Sequence, residues 1–195
     1  MLILLRHGRT EANARGLLQG RIDPALDDLG RAQAEAAATW LGSVDRVISS
    51  PLQRAQQTAA ALGVDVEIDE RFIELDYGDW EGTPVRSVPA ETWAQWRADL
   101  DFRPPGGETL NELGARVREA LEELVGAAER SDIVVVSHVS PMKAGVAWAL
   151  GVDDSATWRT VLAQAAICRI AVMAGVPRLV EFNTTAHLRG LDEPG

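Results

Sequence analysis

The sequence predicts an α/β protein, and three observations carry that prediction. Short apolar runs, such as Leu2–Leu5 and the β-branched run Ile133–Val136, are typical of buried strands in a parallel sheet. Segments with apolar residues at helical spacing lie between these runs, as expected for alternating strands and helices. The 195 residues suit one domain with a full core, and no internal repeat or linker divides the chain. We therefore expect a single domain over residues 1–195.

Composition and charge limit the classes of partner. Hydrophobic residues make up 46% of the chain and charged residues 25%, as in an ordinary soluble globule. The formal net charge of -10 argues against a nucleic-acid or anionic-membrane binder, and no apolar run approaches the length of a membrane span. Cys168 is the only cysteine, so we expect no internal disulfide, a core position for this residue and a cytoplasmic protein.

Strands and helices alternate in the first third of the chain. Strands are predicted over residues 2–5, 44–49 and 64–68. Residues 10–24 read as a loop that could contain one helical turn, and a helix follows from Asp27 or Asp28 to about Leu41. The apolar face of this helix is predicted to pack in the core and consists of Leu29, Ala32, Ala36 and Trp40.

A second helix is predicted to begin at Ser50-Pro51. Ser50 can cap it, proline suits the first helical position, and Gln53 can complete a capping box. The helix would continue through Ala61 and end at Gly63.

The middle of the chain is irregular. Residues 70–105 combine several prolines with Trp80, Trp93 and Trp96, which could either line a substrate cleft or pack on the core. A capping box of Thr109 with Glu112 then begins a clear amphipathic helix. Its apolar stripe consists of Leu110, Leu113, Val117, Leu121 and Leu124.

The last third contains three predicted strands and one helix. The strand Ile133–Val136 leads into Ser137-His138, and a helix is predicted from the Ser140-Pro141 pair to about Leu150. Two strands over residues 165–173 and 178–182 complete the sheet, with a turn at residues 175–177.

Three strand-to-helix junctions carry polar side chains that could converge. The first carries Arg6 and His7, the second Arg54 and the third His138. Because the carboxyl ends of parallel strands lie along one edge of a sheet, we expect these side chains to meet there. The two Ser-Pro helix starts would also direct free backbone N–H groups at that edge, which favours an anion.

Two arginines and two histidines around an anion suggest a phosphoryl group. Their charges would stabilise the oxygens of a transferring phosphoryl group without a metal, and a histidine in line with the ester could attack phosphorus. The departing oxygen needs a proton donor, and carboxylates are available within residues 74–82. Metallohydrolase, serine hydrolase and P-loop patterns are absent from the sequence.

These motifs, in this order, resemble the histidine phosphatase superfamily (phosphoglycerate mutase-like). The resemblance rests on Leu5-Arg-His-Gly-Arg-Thr-Glu-Ala-Asn13, Gln19-Gly20, the stretch from Asp23-Pro24 to Gly30, Ser49-Ser-Pro-Leu-Gln-Arg-Ala-Gln-Gln-Thr58, Glu74 to Gly82, Pro105-Gly-Gly-Glu-Thr109 and Val136-Ser-His138. It covers nearly the whole chain. It implies a three-layer α/β/α fold with a mostly parallel central sheet, in which residues 71–106 form a loop-rich insertion and part of the substrate cleft.

The resemblance also implies a role for each motif residue. His7 would be the phosphorylated nucleophile, and Glu74 would donate the proton to the leaving oxygen and then help to deprotonate water. Asp76 is the rival acid, and Glu74 is preferred because its place in the motif matches. The residues implied in phosphate or substrate binding are Arg6, Asn13, Gln19, Gly20, Arg54, His138 and Val139.

Two departures from the family pattern concern the pocket rim. Arg9 stands where Glu or Gln is usual, so it is either an extra cation at the rim or a solvated surface arginine. The segment His138-Val-Ser-Pro-Met-Lys143 replaces the more common His-Gly-Gly form. This variant, together with Phe182 to Leu188, is similar to α-ribazole-phosphatase-like domains. His187 in that tail is predicted to be a surface or tail-packing residue.

The sequence therefore predicts a metal-independent phosphomonoesterase that acts on a small phosphorylated metabolite and needs no cofactor. The alternatives are a phosphoglycerate mutase-type phosphotransferase and a non-catalytic binding or scaffold member of the fold. The short insertion, with only Arg86, Arg97 and Arg103 as basic residues, favours a phosphatase over a mutase. We expect no nucleic-acid or membrane partner, and a monomer or homodimer. The physiological substrate stays open between α-ribazole phosphate, a sugar phosphate and a phosphoglycerate derivative.

Overall fold

A mixed six-stranded sheet organises the chain in the computed structural model, which describes residues 1–191. Residues 192–195 of the predicted domain lie outside the described residues. The strands are β1 (Leu2–Arg6), β2 (Arg46–Ser49), β3 (Val66–Ile68), β4 (Ile133–Ser137), β5 (Ile167–Met173) and β6 (Val176–Thr184). The helices are α1 (Glu11–Ala14), α2 (Asp28–Leu41), α3 (Gln53–Ala60), α4 (Ala90–Ala98), α5 (Leu110–Ala128) and α6 (Val139–Leu150). Short 3₁₀ turns span Glu70–Phe72, Gly78–Trp80, Val85–Ser87, Asp154–Arg159 and Ala186–Leu188.

The strand order is β3-β2-β4-β1-β5-β6, which confirms the predicted α/β class and mostly parallel sheet. Strands β3, β2, β4 and β1 are parallel neighbours, whereas β5 and β6 add antiparallel pairs at the other side. In the register of the parallel strands, Arg6 lies opposite Ser137 and Ser49 lies opposite Val136. The carboxyl ends of β1, β2 and β4 therefore lie side by side, as the sequence predicted.

Helices cover both faces of the sheet. Alternate residues of β1 point to opposite faces, so that Leu2 and Leu4 pack with the apolar side chains of α5 and α6, and Ile3 and Leu5 pack with those of α2 and α3. The predicted stripe of α5 is fully buried, and its predicted Thr109–Glu112 capping box is present. Cys168 is buried, as predicted. None of the helices within residues 1–191 combines the length and the apolar character needed to span a bilayer.

The predicted core face of α2 is wrong. Trp40 is 48% exposed, and Leu29, Ala32 and Ala36 are only partly buried. The helix instead buries Gly30, Gln33, Ala34 and Ala37. A Cβ atom at Gly30 would lie 2.0 Å from the Arg9 carbonyl oxygen, so this face approaches another backbone closely and requires small residues. Apolar periodicity does not report such an approach.

The predicted starts of α3 and α6 are also wrong. The first helical residue of α3 is Gln53 rather than Pro51, and Leu52 stands at its N-cap without a side-chain bond. The first residue of α6 is Val139, because His138 rather than Ser140 stands at the N-cap. The Ser50 hydroxyl is therefore not the N-cap of α3, and it contacts His138 in the site described below.

Two loop predictions need correction. The segment predicted as irregular contains the nine-residue helix α4. Trp96 is 1% exposed and stacks on Trp93 at a ring separation of 5.4 Å, and both pack on the core. The turn between β5 and β6 occupies Ala174 and Gly175, so that Val176 and Pro177 already belong to β6.

Candidate active site

A cavity of about 240 Å³ opens at the carboxyl ends of β1, β2 and β4. Two loop segments, the one after β1 and residues 74–85, complete it together with the starts of α3 and α6. The lining residues are Arg6, His7, Asn13, Gly16, Leu17, Leu18, Gln19, Gly20, Arg54, Glu74, Tyr77, Val85 and Val139. All the predicted site residues except His138 therefore line this cavity. His138 lies directly beside His7.

His7 is buried and oriented by a local hydrogen bond. Its Nδ1 atom lies 2.7 Å from the Gly8 carbonyl oxygen, which can only accept, so Nδ1 carries the proton and Nε2 keeps its lone pair. Burial, together with the charges of Arg54 and Arg6, holds the pKa of His7 well below its usual range. The ring is therefore neutral near pH 7, and Nε2 is a nucleophilic nitrogen inside the cavity.

Arg6 is fixed by a backbone carbonyl instead of a carboxylate. Its Nη1 atom donates to the Leu162 carbonyl oxygen at 2.6 Å, while its buried Nε has no partner among the described residues. Burial lowers the pKa of Arg6 to about 10, so the guanidinium keeps its charge at neutral pH.

Arg54 is held in the same manner from the first turn of α3. Its Nη1 atom donates to the Ile22 carbonyl oxygen and its Nη2 atom to the Gly20 carbonyl oxygen, each at a distance of 2.7 Å. Its buried Nε has no partner among the described residues. The loop that supplies these carbonyls is anchored by the Glu81 carboxylate, which accepts from the backbone N–H groups of Arg21 and Ile22. Gly20 has a φ of 53°, which an L-residue rarely adopts.

His138 lies against His7, with ring centroids 5.0 Å apart. Its Nε2 atom is 2.7 Å from the Ser50 hydroxyl oxygen, and its buried Nδ1 has no partner among residues 1–191. Burial and the charge of Arg54 hold the pKa of His138 well below its usual range, so this ring is neutral as well.

Glu74 presents one carboxylate oxygen to the cavity. Its Oε1 atom accepts from the backbone N–H of Leu75 at 2.8 Å and from that of Ser140 at 3.2 Å. No hydrogen bond within the described chain reaches Oε2. Asp76, the rival acid, is absent from the lining and pairs with Arg21 at 3.2 Å.

The segment that carries Glu74 is held by Arg116 of α5. Its guanidinium donates to the carbonyl oxygens of Arg71, Ile73 and Glu74, and it forms an ion pair with Glu108. The irregular backbone around Glu74 is therefore fixed by a helix on one face of the sheet.

The remaining predicted binding residues form one wall of the cavity. Asn13 closes a capping box with Thr10 at the start of α1, and the Thr10 hydroxyl donates to Gln19 at 2.9 Å. Val139, the first residue of α6, contributes an apolar side chain in place of the common glycine.

Several lining residues were not predicted from the sequence. Gly16, Leu17 and Leu18 belong to the loop after β1, and Tyr77 and Val85 to the insertion. Burial raises the pKa of Tyr77, with Glu74 acting in the same direction, so its hydroxyl stays protonated. Tyr77 lies within the motif from Glu74 to Gly82, and this position was the sequence signal that could have identified it.

The structure shows where Arg9 and the tryptophans of the insertion lie relative to the cavity. Arg9 is not among the lining residues and forms an ion pair with Asp27 at 2.8 Å. Trp80, Trp93 and Trp96 are also absent from the lining and pack on the core instead. His187 packs in the tail, as predicted, with Nε2 donating to the Ala165 carbonyl oxygen at 3.0 Å and its ring 6.1 Å from that of Trp40.

Three buried nitrogen atoms around His7 thus lack partners: Arg6 Nε, Arg54 Nε and His138 Nδ1. An unsatisfied buried donor costs about 1–3 kcal/mol, and more when it is charged. Arg6 and Arg54 line the cavity and donate to carbonyl oxygens rather than to carboxylates, so they favour an anion there. Within residues 1–191, no group of three His, Cys, Asp or Glu side chains is placed to hold a metal ion.

Comparison with known proteins gives one family. A family model described as histidine phosphatase superfamily (branch 1) matches residues 2–185. The bifunctional protein Rv2228c of Mycobacterium tuberculosis is 36% identical over 198 residues, which cover 96% of this chain and 54% of that protein. The chain therefore spans about half the length of this curated relative.

Solved structures agree over nearly the full length of both chains. A phosphoserine phosphatase mutant of Entamoeba histolytica, in complex with phosphoserine, has a TM-score of 0.88 and 30% identity, and the match covers 96% of this chain and 98% of that one. An alpha-ribazole-phosphatase-like protein of Escherichia coli has a TM-score of 0.82 and 30% identity, with 94% and 95% covered. The predicted resemblance is confirmed.

Proposed function

The chain belongs to the histidine phosphatase superfamily, and we propose that it hydrolyses a small phosphomonoester through a phosphohistidine on His7. The observation that carries this proposal is a cavity lined by two arginines that donate only to carbonyl oxygens, beside a neutral histidine whose Nδ1 is bonded to Gly8. Because these arginines donate to neutral carbonyl oxygens, no hydrogen-bonded carboxylate offsets their charge. The arrangement suits a tetrahedral dianion.

In the first step, the phosphoryl oxygens accept from Arg6, Arg54 and His138, and His7 Nε2 attacks phosphorus. The bond between phosphorus and the ester oxygen breaks, and Glu74, entering in its neutral form, protonates the departing oxygen. A bound dianion next to the carboxyl group favours that neutral form. The arginines stabilise the charge on the equatorial oxygens, where it is greatest in the transition state.

In the second step, water attacks the phosphorus of the phosphohistidine. Glu74, now a carboxylate, takes a proton from that water, the phosphorus–nitrogen bond breaks, and inorganic phosphate leaves with neutral His7 restored. Because Glu74 Oε1 already accepts two backbone N–H groups, Oε2 is the oxygen that exchanges the proton in both steps.

Substrate binding would involve the rest of the wall. Asn13, Gln19, Gly20 and Val139 line the same cavity as the reacting groups and would contact the phosphate or the ester carbon next to it. The solved relative binds phosphoserine, which supports a small metabolite as the substrate class. A cytoplasmic location, a monomeric or homodimeric state and a single domain over residues 1–195 stay predictions from composition.

The proposal is tested by replacing His7. The wild-type protein should hydrolyse p-nitrophenyl phosphate in the presence of EDTA, and brief acid-free quenching with ³²P-labelled substrate should leave acid-labile label on the chain. His7→Ala should lose both the activity and the label. His187→Ala is the matched control, because this histidine is bonded to Ala165 away from the cavity.

Two results would contradict the proposal. One is full activity of His7→Ala, which would exclude the nucleophile. The other is a folded wild-type protein that neither hydrolyses any phosphomonoester nor takes up label, which would favour a non-catalytic member of the fold.

A further inference from the structure

A second cavity of about 310 Å³ adjoins the active site. It is lined by Arg15, Gly16, Pro84, Val85 and Arg86, and two of these residues, Gly16 and Val85, also line the active-site cavity. The two cavities therefore meet at one edge, and two arginines stand on the far side of that edge.

The edge between the cavities is built from two chain segments that bond to each other. The backbone N–H of Val85 donates to the Gly16 carbonyl oxygen at 3.0 Å, and Leu17 and Pro84 form an antiparallel bridge. Because these bonds join the loop after β1 to the insertion, Arg15 and Arg86 emerge from one connected wall rather than from two independent loops.

The side chains of Arg15 and Arg86 have no ion pair or hydrogen bond within residues 1–191, and both are exposed. Even Glu11, one turn earlier in α1, forms no ion pair with Arg15. Most other arginines around the active site have acceptors: Arg21 pairs with Asp76, and Arg9 with Asp27. Two unpaired cations beside a cavity in a chain of net charge -10 form a local attraction for an anion.

The active site itself offers no cation to a second anionic group. Arg6 and Arg54 are the cations of its lining, the proposed mechanism uses both for the phosphoryl group, and three of their four terminal nitrogens donate to carbonyl oxygens. Lys143, on α6, donates to the Thr157 carbonyl oxygen at 2.9 Å. The wall between is apolar, from Leu17 and Val85. A further negative charge on the substrate would find its partner at the adjoining cavity.

We propose that Arg15 and Arg86 bind a second anionic group of the substrate, a carboxylate or a second phosphate, while the first phosphate lies against His7. The inference rests on the proposed function and narrows its substrate class to phosphomonoesters with two anionic ends. The guanidinium groups can each offer paired N–H donors to either kind of oxyanion.

The test compares substrates that differ only in the second charge. For a carboxylate the pair is 3-phosphoglycerate and glycerol 3-phosphate, and for a phosphate it is fructose 1,6-bisphosphate and fructose 6-phosphate. Specificity constants are measured for the wild type, for Arg15→Ala/Arg86→Ala and for Arg130→Ala/Arg178→Ala. The last variant removes two arginines that are also exposed, have no ion pair or hydrogen bond within residues 1–191 and line neither cavity, so it is a control for net charge.

The wild type should prefer the doubly anionic member of at least one pair, and the pair identifies the second group. Two exposed ion pairs correspond to about a tenfold preference, which Arg15→Ala/Arg86→Ala should abolish and the control should keep. Hydrolysis of p-nitrophenyl phosphate should be unchanged in both variants, and added salt should weaken the preference.

The proposal is overturned if neither pair shows a preference, or if the preference survives in Arg15→Ala/Arg86→Ala. If the wild type does not hydrolyse p-nitrophenyl phosphate, this result would instead contradict the proposed function. In that case, calorimetric titration of His7→Ala with 3-phosphoglycerate and fructose 1,6-bisphosphate, before and after the arginine substitutions, still decides the binding role.

Discussion

Ser50→Ala should lower phosphatase activity by releasing His138 rather than by unfolding the chain. The Ser50 hydroxyl oxygen accepts a long 3.3 Å bond from the Leu52 N–H and lies 2.7 Å from His138 Nε2, so its own hydrogen can be donated to that nitrogen. The ring proton then lies on Nδ1, the nitrogen without a partner, where it can be donated to a phosphoryl oxygen. Alanine removes the group that selects this tautomer.

The size of the effect follows from one buried hydrogen bond. Its loss is worth about 0.5–1.5 kcal/mol, rising to about 3 kcal/mol if Nε2 is left unsatisfied. At about 1.4 kcal/mol per factor of ten, kcat/KM should fall between about 2-fold and about 150-fold. Because the bond from His138 strengthens as charge develops on the phosphoryl oxygens, the loss should appear mainly in kcat.

Three measurements separate positioning from general damage. Steady-state kinetics on p-nitrophenyl phosphate give kcat and KM, urea denaturation gives the free energy of unfolding, and ¹⁵N NMR of the His138 ring reports which nitrogen carries the proton. Ser49→Ala is the matched control, because Ser49 is equally buried but its hydroxyl donates to the Ser50 carbonyl oxygen. Equal losses of kcat in the two variants, or an unchanged His138 tautomer in Ser50→Ala, would refute the reasoning.

Two further predictions concern the acid and the histidines. Glu74→Gln keeps an acceptor for Leu75 and Ser140 but cannot donate an acidic proton, so kcat on glycerol 3-phosphate should fall by about 10²–10⁴-fold, and by much less on p-nitrophenyl phosphate, whose leaving group needs no proton. Burial depresses the pKa values of His7 and His138, so below pH 6.5 the unfolded chain binds more protons than the folded one. The free energy of unfolding should therefore decrease as the pH is lowered below 6.5, by up to about 1.4 kcal/mol per pH unit for each ring.

Each of these predictions has its own control. For the acid, Asp76→Asn should leave the difference between the two substrates unchanged, since Asp76 lies outside the cavity lining and pairs with Arg21. An equal loss on both substrates in Glu74→Gln would contradict the acid role. For the histidines, urea titrations between pH 5 and 6.5 should give a clear slope that His7→Asn/His138→Asn flattens. A wild-type stability independent of pH in this window would show that the rings accept protons in the folded state.

Features set by local chemistry were predictable from the sequence. The stripe of α5 and its Thr109–Glu112 capping box depend on residues a few positions apart, and both are present as predicted. The meeting of Arg6, His7, Arg54 and His138 was also predictable, because parallel strands place their carboxyl ends at one edge whatever the loops do.

Features that depend on distant partners were not predictable. Ser50 looked like a helix cap, but its hydroxyl serves His138, which is 88 positions away in the chain. The buried face of α2 is decided by the contact of Gly30 with the backbone of Arg9. In both cases the local pattern suggested a reasonable use of the residue, and a tertiary contact that the pattern does not contain decided otherwise.

Tertiary contacts also decide which backbone N–H groups at the starts of α3 and α6 can bind an anion. The N–H groups at the starts of α3 and α6 were expected to face the phosphate, yet the N–H of Gln53 donates to Asp23 at 2.6 Å and that of Ser140 to Glu74 at 3.2 Å. One N–H group at each helix start is thus already bonded to a carboxylate of the chain. Most of the positive charge for a phosphoryl group must therefore come from side chains.

An arginine can supply this positive charge only if no hydrogen-bonded carboxylate neutralises its guanidinium. Surface arginines such as Arg46 and Arg71 bond to carboxylates, which raise the pKa of each guanidinium but also neutralise its field. Arg6 and Arg54 bond to backbone carbonyls, which orient the guanidinium and leave its unit charge in place, and burial lowers the pKa of both. Their cost in desolvation is recovered only when a dianion binds, so these two arginines favour the occupied site and the phosphorylated state over the empty one.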